Sequence, residues 1–430
     1  MSIESLFFEL LQVAIGNKQG LSHIPSQKEW KELFDMAKKQ SLVAIAFVGV
    51  TKLNPGSDYG ASLGMDEMTY LKWLGLVAKT QQKNKEMCGL CEMVCKDFLH
   101  DGFRTMVLKG QSNLAYYPED LKAFRTAGDI DLYAWCIEPT GIDMAVGDLD
   151  GKGAHYEKYF GNEAVIEYTK MRLRTAGLSD KVEVVYHHLD MPGVYPCEVE
   201  VHFRPSWMYN PWRNRRVQRW FEEQRDVAIR QICVDGHTFS VPSVSFNAVY
   251  QLMHIYRHLF IEGIGLRQLL DYYFVLRSLH IEQSELTDRT PSMAQWTEDM
   301  GVAVMSNKEI MRLLGRFGMK KFAGAVMWVL KEVFAMPDAY LLCPPNEKEG
   351  RHLLEEIMIA GNFGKYDKRV SASSAESRLG SLRRRHAQTS RFFWSYPGEA
   401  VFELPFRAFQ YLWRLKNGYL QTIKHKQEEI

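Results

Sequence analysis

Gly128-Asp129-Ile130-Asp131-Leu132-Tyr133-Ala134-Trp135 is the stretch on which the fold turns. Polar and apolar residues alternate from Asp129 onward, as they do along a β-strand. Side chains alternate across a strand, so Asp129 and Asp131 share one face while Ile130 and Leu132 point the opposite way into a core. Two carboxylates held close on a rigid strand repel, and each raises the other's pKa unless a cation sits between them. Hard divalent ions bound through carboxylate oxygens, with phosphates completing the shell, meet that need. A D-x-D alone also occurs on ordinary exposed strands, so its neighbours decide what it means.

Upstream, Thr105-Met106-Val107-Leu108 reads as a short buried strand that ends at Lys109-Gly110. A helix-like segment, Ser112–Tyr117, follows and stops at Pro118. A strand–glycine–helix corner presents backbone N–H groups and a helix N-terminus to a phosphate. Arg125 and Gly128 lie directly before the acidic strand. Downstream, Glu198-Val199-Glu200-Val201-His202 alternates again, placing Glu198, Glu200 and His202 on one face. A further strand is expected over Val182–His188, a helix over Glu163–Ala176, a turn at Met191-Pro192-Gly193, and a hairpin over Val227–Val241 around Asp235-Gly236.

Helical spacing dominates on both sides. Ile3–Ile15, Lys28–Lys39, Leu42–Lys52 and about Asp66 to His100 carry apolar residues three and four apart, with Pro55-Gly56-Ser57-Asp58 as a turn. After Ser243, helices are expected at Ser245–Phe260, Leu266–Leu279, Met293–Asp299, Asn307–Leu314, Lys320–Val333 and Pro405–His425. The layout is an α+β chain: a helical region over 1–100, a mixed module over 101–242, and a helical region over 243–430. A flexible basic loop is expected near 362–391, where Ser371, Ser373, Ser374 and Ser377 cluster.

Leu108-Lys109-Gly110, Tyr117-Pro118, Arg125 and Gly128-Asp129-Ile130-Asp131-Leu132 together resemble the uncharacterised bacterial nucleotidyltransferase family of the polymerase-beta-type superfamily. Glu200-Val201-His202-Phe203 is similar to that family's acid-x-His-aromatic strand. His254 and Gly265-Leu266-Arg267-Gln268-Leu269-Leu270-Asp271 resemble its helical continuation, so the likeness spans about residues 40–290. The resemblance implies a polymerase-beta-like module with a mixed sheet and a two-metal transfer of a nucleoside monophosphate from a nucleoside triphosphate, such as ATP, to an acceptor hydroxyl. It implies that Asp129, Asp131 and Glu200 hold Mg²⁺ or Mn²⁺. Lys109, Gly110, Ser112, Arg125 and Gly128 would lie against the nucleotide, with His202 and Arg267 as further candidates. The chain departs from the pattern twice. The usual Gly-Ser corner is Lys109-Gly110-Gln111-Ser112, and the third acid is Glu where Asp is more familiar. The altered corner supports a rival reading, a non-catalytic member that binds nucleotide, RNA or protein. The acceptor (small molecule, RNA or protein) and the oligomeric state have no signature in the sequence.

Bulk composition narrows the alternatives. With 53 Lys+Arg against 52 Asp+Glu the 430-residue chain has a net charge of +1, which excludes a chain-wide basic field for nucleic acid. Local patches remain at 204–220, rich in Arg and Trp, and at 378–391, which holds Arg383, Arg384, Arg385 and His386. Either suits a polyanion, and a solvated face explains them as well. No segment approaches the roughly 18 apolar residues that span a bilayer, so no membrane partner is expected. Seven scattered cysteines argue for reduced thiols and a cytoplasmic location. Cys88, Cys91 and Cys95 lack a second ligand pair and read as core residues, not zinc ligands. His254 and His258 lack the acid of a metalloprotease helix, and Arg267 with Asp271 reads as an i,i+4 ion pair.

Overall fold

The computed structural model describes residues 2–54, 60–138, 141–146, 155–287, 304–367, 369 and 378–419. The turn expected at 55–58, the helix at 293–299 and the serine-rich stretch 371–377 lie outside the described residues.

The first hundred residues form α1 (Ile3–Ala14), α2 (Gln27–Lys39), α3 (Val43–Leu53) and α4 (Glu67–His100). Ser26 and Glu29 close a reciprocal capping box on α2, and the Asp66 side chain accepts from Thr69 N at the start of α4. β1 (Phe103–Val107) leads through a 3-10 turn, Gly110–Ala115, and the short α5 (Glu119–Lys122) to β2 (Ile130–Cys136). A two-stranded ribbon, β3 (Ile142–Val146) and β4 (His155–Tyr159), precedes α6 (Gly161–Thr175), β5 (His188–Asp190) and β6 (Val199–His202). α7 (Pro211–Gln224), the hairpin β7 (Ile229–Val234) and β8 (His237–Pro242), α8 (Val244–Ile261) and α9 (Leu266–Thr287) come next.

The main sheet has the order β1-β2-β6-β5. β1 runs antiparallel to β2, β2 parallel to β6, and β5 antiparallel to β6. The parallel pair sets Asp131 beside Glu200 and Tyr133 beside His202. The antiparallel pair then sets His188 beside His202 and Asp190 beside Glu200. β2 is interior, so its two faces feed different cores. Ile130, Leu132 and Ala134 pack with Val94 and Phe98 of α4 and with α6. Tyr133 and Trp135 join the larger core shared by the helices.

That larger core draws on both ends of the chain. α1 packs on the helix Lys320–Phe334, where Gln12 and Asn17 donate to the carbonyls of Val333 (3.1 Å) and Phe334 (2.6 Å). Three local expectations change. Residues 182–187 are not a strand: Val185 N bonds the carbonyl of His188 and turns the chain, leaving one isolated bridge from Val184 to Leu189. Arg378–Arg391 is a helix where a loop was expected, with Gln388 and Thr389 donating to the free carbonyls of Leu259 and Phe260 at the end of α8. Part of the basic stretch 204–220 is α7, started by the Asn210 cap and Pro211. Trp207, Tyr209 and Trp220 go inward, with Trp207 stacked on Phe406 and Trp220 on Phe246, while Trp212 stays exposed.

The C-terminal helices are tied down at Glu399, which is 2% exposed. It accepts from the backbone N–H groups of Tyr209 (2.8 Å) and Asn210 (3.3 Å) and faces Arg213 (3.1 Å). Burial pushes its carboxyl up from 4.5 to about 7, against the pull of Arg213 and the two N–H groups. The folded chain therefore holds this proton more tightly than the unfolded chain. Stability is expected to fall as pH rises from about 4.5 to about 7. Thermal unfolding at pH 5 and pH 7.5 measures that fall, and Glu399→Gln is expected to flatten it.

Candidate active site

Asp131 is the most enclosed acid of the sheet, 1% exposed. Its Oδ1 accepts from His202 Nε2 at 3.1 Å, and its Oδ2 lies 3.0 Å from the Lys109 ammonium. Strand pairing causes both contacts. Leu108 N bonds the Asp131 carbonyl and fixes Lys109 at the strand exit, while the β2–β6 register brings up Glu200 and His202. His202 Nε2 is also 3.3 Å from Glu200 Oε2. Lys109 is 3.8 Å from Asp129, which is one third exposed at the mouth of the site. Burial opposes charge on Lys109, but Asp131, Asp129 and Glu200 outweigh it and hold the ammonium above its ordinary pKa. His202 is raised for the same reason: Asp131 and Glu200 overcome its desolvation. Glu200 is held well below the carboxylate range; desolvation resists, and His202, His188 and Lys109 prevail.

Of the residues expected to meet here, Asp131, Glu200, His202 and Lys109 converge, with Asp129 beside Lys109. Among the described residues, the ligating atoms of Asp131, Glu200 and His202 fall within 4.8 Å of one another, and Asp129 stands outside that group. The two carboxylates of that group suit a hard divalent ion, while His202 Nε2 donates to Asp131. Among the described residues, Asp131 Oδ2 is buried with no hydrogen bond, and the Lys109 cation alone faces it, a stand-in charge where carboxylate oxygens gather.

The corner after β1 is partly as expected. Gly110 has φ +66°, and a Cβ there would sit 3.3 Å from the Asp129 carbonyl oxygen. Gly110→Ala is expected to lower unfolding free energy by about 1–2 kcal/mol, measured by denaturant titration, because left-handed backbone penalises a side chain. Ser112 does not face the cleft. It is fully buried, and its place on the cavity wall is taken by Asn113, which accepts from Gln251 of α8. Arg125 is not a free cation for phosphate either. Its Nε and Nη2 each lie 2.8 Å from the Asp271 carboxylate, which also accepts from Tyr117 OH at 2.8 Å. That bidentate pair occupies Asp271, so the expected Arg267–Asp271 bridge does not form. Arg267 instead donates to Thr126 O at 3.1 Å, and its guanidinium faces Gly128.

Asp129 and Phe363 line both arms of one cleft. An arm of about 690 Å³ carries Lys79, Lys83, Gly128, Glu198 and Arg267. The other, about 590 Å³, carries Lys109, His187, His188, Glu200 and Arg257. A cavity of about 690 Å³ between α7 and the helix Glu403–Lys416 contains none of these acids, so donor chemistry and not volume selects the cleft. His254 lines its floor, and His258 pairs with Glu262 at 2.6 Å. Cys88, Cys91 and Cys95 are core residues beneath the sheet. Spacing alone does not single out His188, Asp190 or Gln251. Only the strand-rich neighbourhood of Glu200 hints at the first two, and Gln251 is one of several buried polar residues on α8, with nothing in its spacing to set it apart.

A mixed sheet whose adjacent parallel strands present Asp131 and Glu200 to a cation-bearing corner is consistent with a nucleotidyltransferase-type fold. The family described as uncharacterised nucleotidyltransferase matches residues 26–294, and the chain belongs to it. The match takes in every strand of the main sheet and α9. No curated protein and no solved structure matches the chain. Membership supports a nucleotidyltransferase-type function and a nucleotide substrate. Among the described residues, no helix is long and apolar enough to cross a membrane.

Proposed function

We propose that the cleft transfers a nucleoside monophosphate from a nucleoside triphosphate to an acceptor hydroxyl, releasing pyrophosphate, with divalent metal held by Asp131 and Glu200 and approached by Asp129. The observation that carries this reading is the placement of Lys109, a partly buried cation 3.0 Å from Asp131 and 3.8 Å from Asp129 at a glycine corner. Mg²⁺ or Mn²⁺ bound there would stabilise the attacking and leaving oxygens of an in-line displacement. Gly110 lets the backbone approach a phosphate, and Arg267 with Gly128 offers charge and space at the cleft wall. His202 holds Asp131 and Glu200 in position through its Nε2 hydrogen.

Incubation with each labelled nucleoside triphosphate, Mg²⁺ or Mn²⁺, and a panel of small-molecule, RNA and protein acceptors tests it. Labelled acceptor is expected. A second reading, a member that binds nucleotide, RNA or protein without turnover, is favoured by Ser112, which the fold turns away from the cleft. Metal-dependent nucleotide binding with no labelled product from any acceptor would select it.

A further inference from the structure

Arg257, on α8, is a buried charge that the proposed reaction does not use. It is 8% exposed and lines the 590 Å³ arm of the cleft with Lys109 and Glu200. Arg125, also buried, gives its Nε and Nη2 to the two carboxylate oxygens of Asp271. Arg257 has no such partner. Its Nη1 lies 2.5 Å from His187 Nε2, and its guanidinium carbon stands 5.7 Å from the centre of the Trp207 ring. Among the described residues, no carboxylate comes within ion-pair distance of it, and neither Nε nor Nη2 has a hydrogen-bond acceptor, Nε being fully buried. Glu262 lines the same arm but pairs with His258 at 2.6 Å.

Nε and Nη2 form one edge of the guanidinium, with two parallel N–H groups that match the two oxygens of a carboxylate or a phosphate. A buried guanidinium without a counter-charge is costly to a fold, whereas an oxyanion on that edge supplies both the charge and the acceptors. Position in the cleft decides which substrate brings the oxyanion. Gly128 and Arg267, the groups proposed for the nucleotide, line the other arm, and Asp129 borders both. An acceptor whose hydroxyl reaches a metal at Asp131 and Glu200 would extend away from the nucleotide, along the arm that holds Glu200 and Arg257. At about 590 Å³ that arm fits a small molecule. A nucleic acid fits it less well, because the net charge is +1 and Tyr209 and Trp220 are buried where base stacking would need them open.

We infer that the acceptor is a small hydroxylated molecule bearing a carboxylate or phosphate group, and that Arg257 binds that group through Nε and Nη2. The acceptor role rests on the nucleotidyltransferase reading of the same cleft, and the anion position is tested by binding without turnover. Glycerate, glycerol phosphate, neutral glycerol and a short single-stranded RNA are titrated calorimetrically into the full chain. The titrations are repeated with Mg²⁺ and α,β-methylene ATP, a nucleotide whose bridge cannot be cleaved. At least one of the two small anions is expected to bind, with glycerol weaker by about tenfold or more. The tighter of the two tells carboxylate from phosphate. The nucleotide analogue is expected to leave anion binding in place. Arg257→Gln is expected to weaken the anion about 10–100-fold, and Arg257→Lys, which keeps the charge without the fork, by less. Neither variant is expected to lower the unfolding midpoint, since no carboxylate loses its partner. Equal binding of glycerol, undiminished anion binding in both variants, displacement by the nucleotide analogue, or loss of folding in both variants would overturn the proposal. Tighter binding of the RNA than of either small anion, lost in Arg257→Gln, would overturn it too. Arg257-dependent anion binding with no labelled product from any acceptor would count against the proposed reaction and leave the anion position standing.

Discussion

Asp131→Asn is expected to cut metal-dependent nucleotidyl transfer about 1,000-fold or more, with the fold retained. The amide keeps the shape and one acceptor, so His202 retains a partner for its Nε2 hydrogen. It removes the charge that faces Lys109 and that would hold the metal. Lewis-acid stabilisation of the transferring phosphoryl group is worth several kcal/mol, and each 1.36 kcal/mol is tenfold in rate. Asp129→Asn in the same chain is expected to add little, because groups that act as one unit do not contribute additively. Steady-state assays with matched thermal unfolding measure both. A loss under tenfold in the folded variant would remove Asp131 from the proposed reaction.

The second large effect concerns stability. Arg125 is 3% exposed, and its only acid partner among the described residues is Asp271, held through two hydrogen bonds of 2.8 Å. Asp271→Ala leaves that guanidinium buried and unpaired and also strips Tyr117 OH of its acceptor. Breaking one side of such a pair costs about 3–5 kcal/mol. Asp120→Ala, at an exposed carboxylate 3.3 Å from Lys52, is the control and is expected to change stability by less than about 1 kcal/mol. Chemical denaturation of both variants makes the comparison. The pair joins α9 to the segment that leads into β2, so its loss should also loosen Gly128 and Asp129.

The acidic strand was legible because period-two alternation puts Asp129 and Asp131 on one face whatever surrounds them. Glu200 and His202 followed from the same rule, and the helical flanks from three- and four-residue spacing. Partners across elements were not legible. Arg125 reads as a cation beside an acidic strand, yet its partner lies 146 residues away on α9. Ser112 looks like a phosphate ligand, but the corner is a 3-10 turn, and its tighter winding faces Asn113 to the cleft. Arg378–Arg391 has a polar, basic composition that suggests solvent. Its helical order comes from Gln388 and Thr389 meeting free carbonyls at the end of α8, a contact no local pattern reports. His188 and Asp190 gain meaning only from the β5–β6 register.

The position of the transferred label tests the central claim most directly. Parallel reactions supply Mg²⁺ or Mn²⁺, the acceptor panel and nucleoside triphosphate labelled at either the α- or the γ-phosphorus. The account predicts that α-label enters the acceptor while γ-label leaves as pyrophosphate. Transfer of γ-label to the acceptor, or nucleotide binding with neither label transferred, would contradict it.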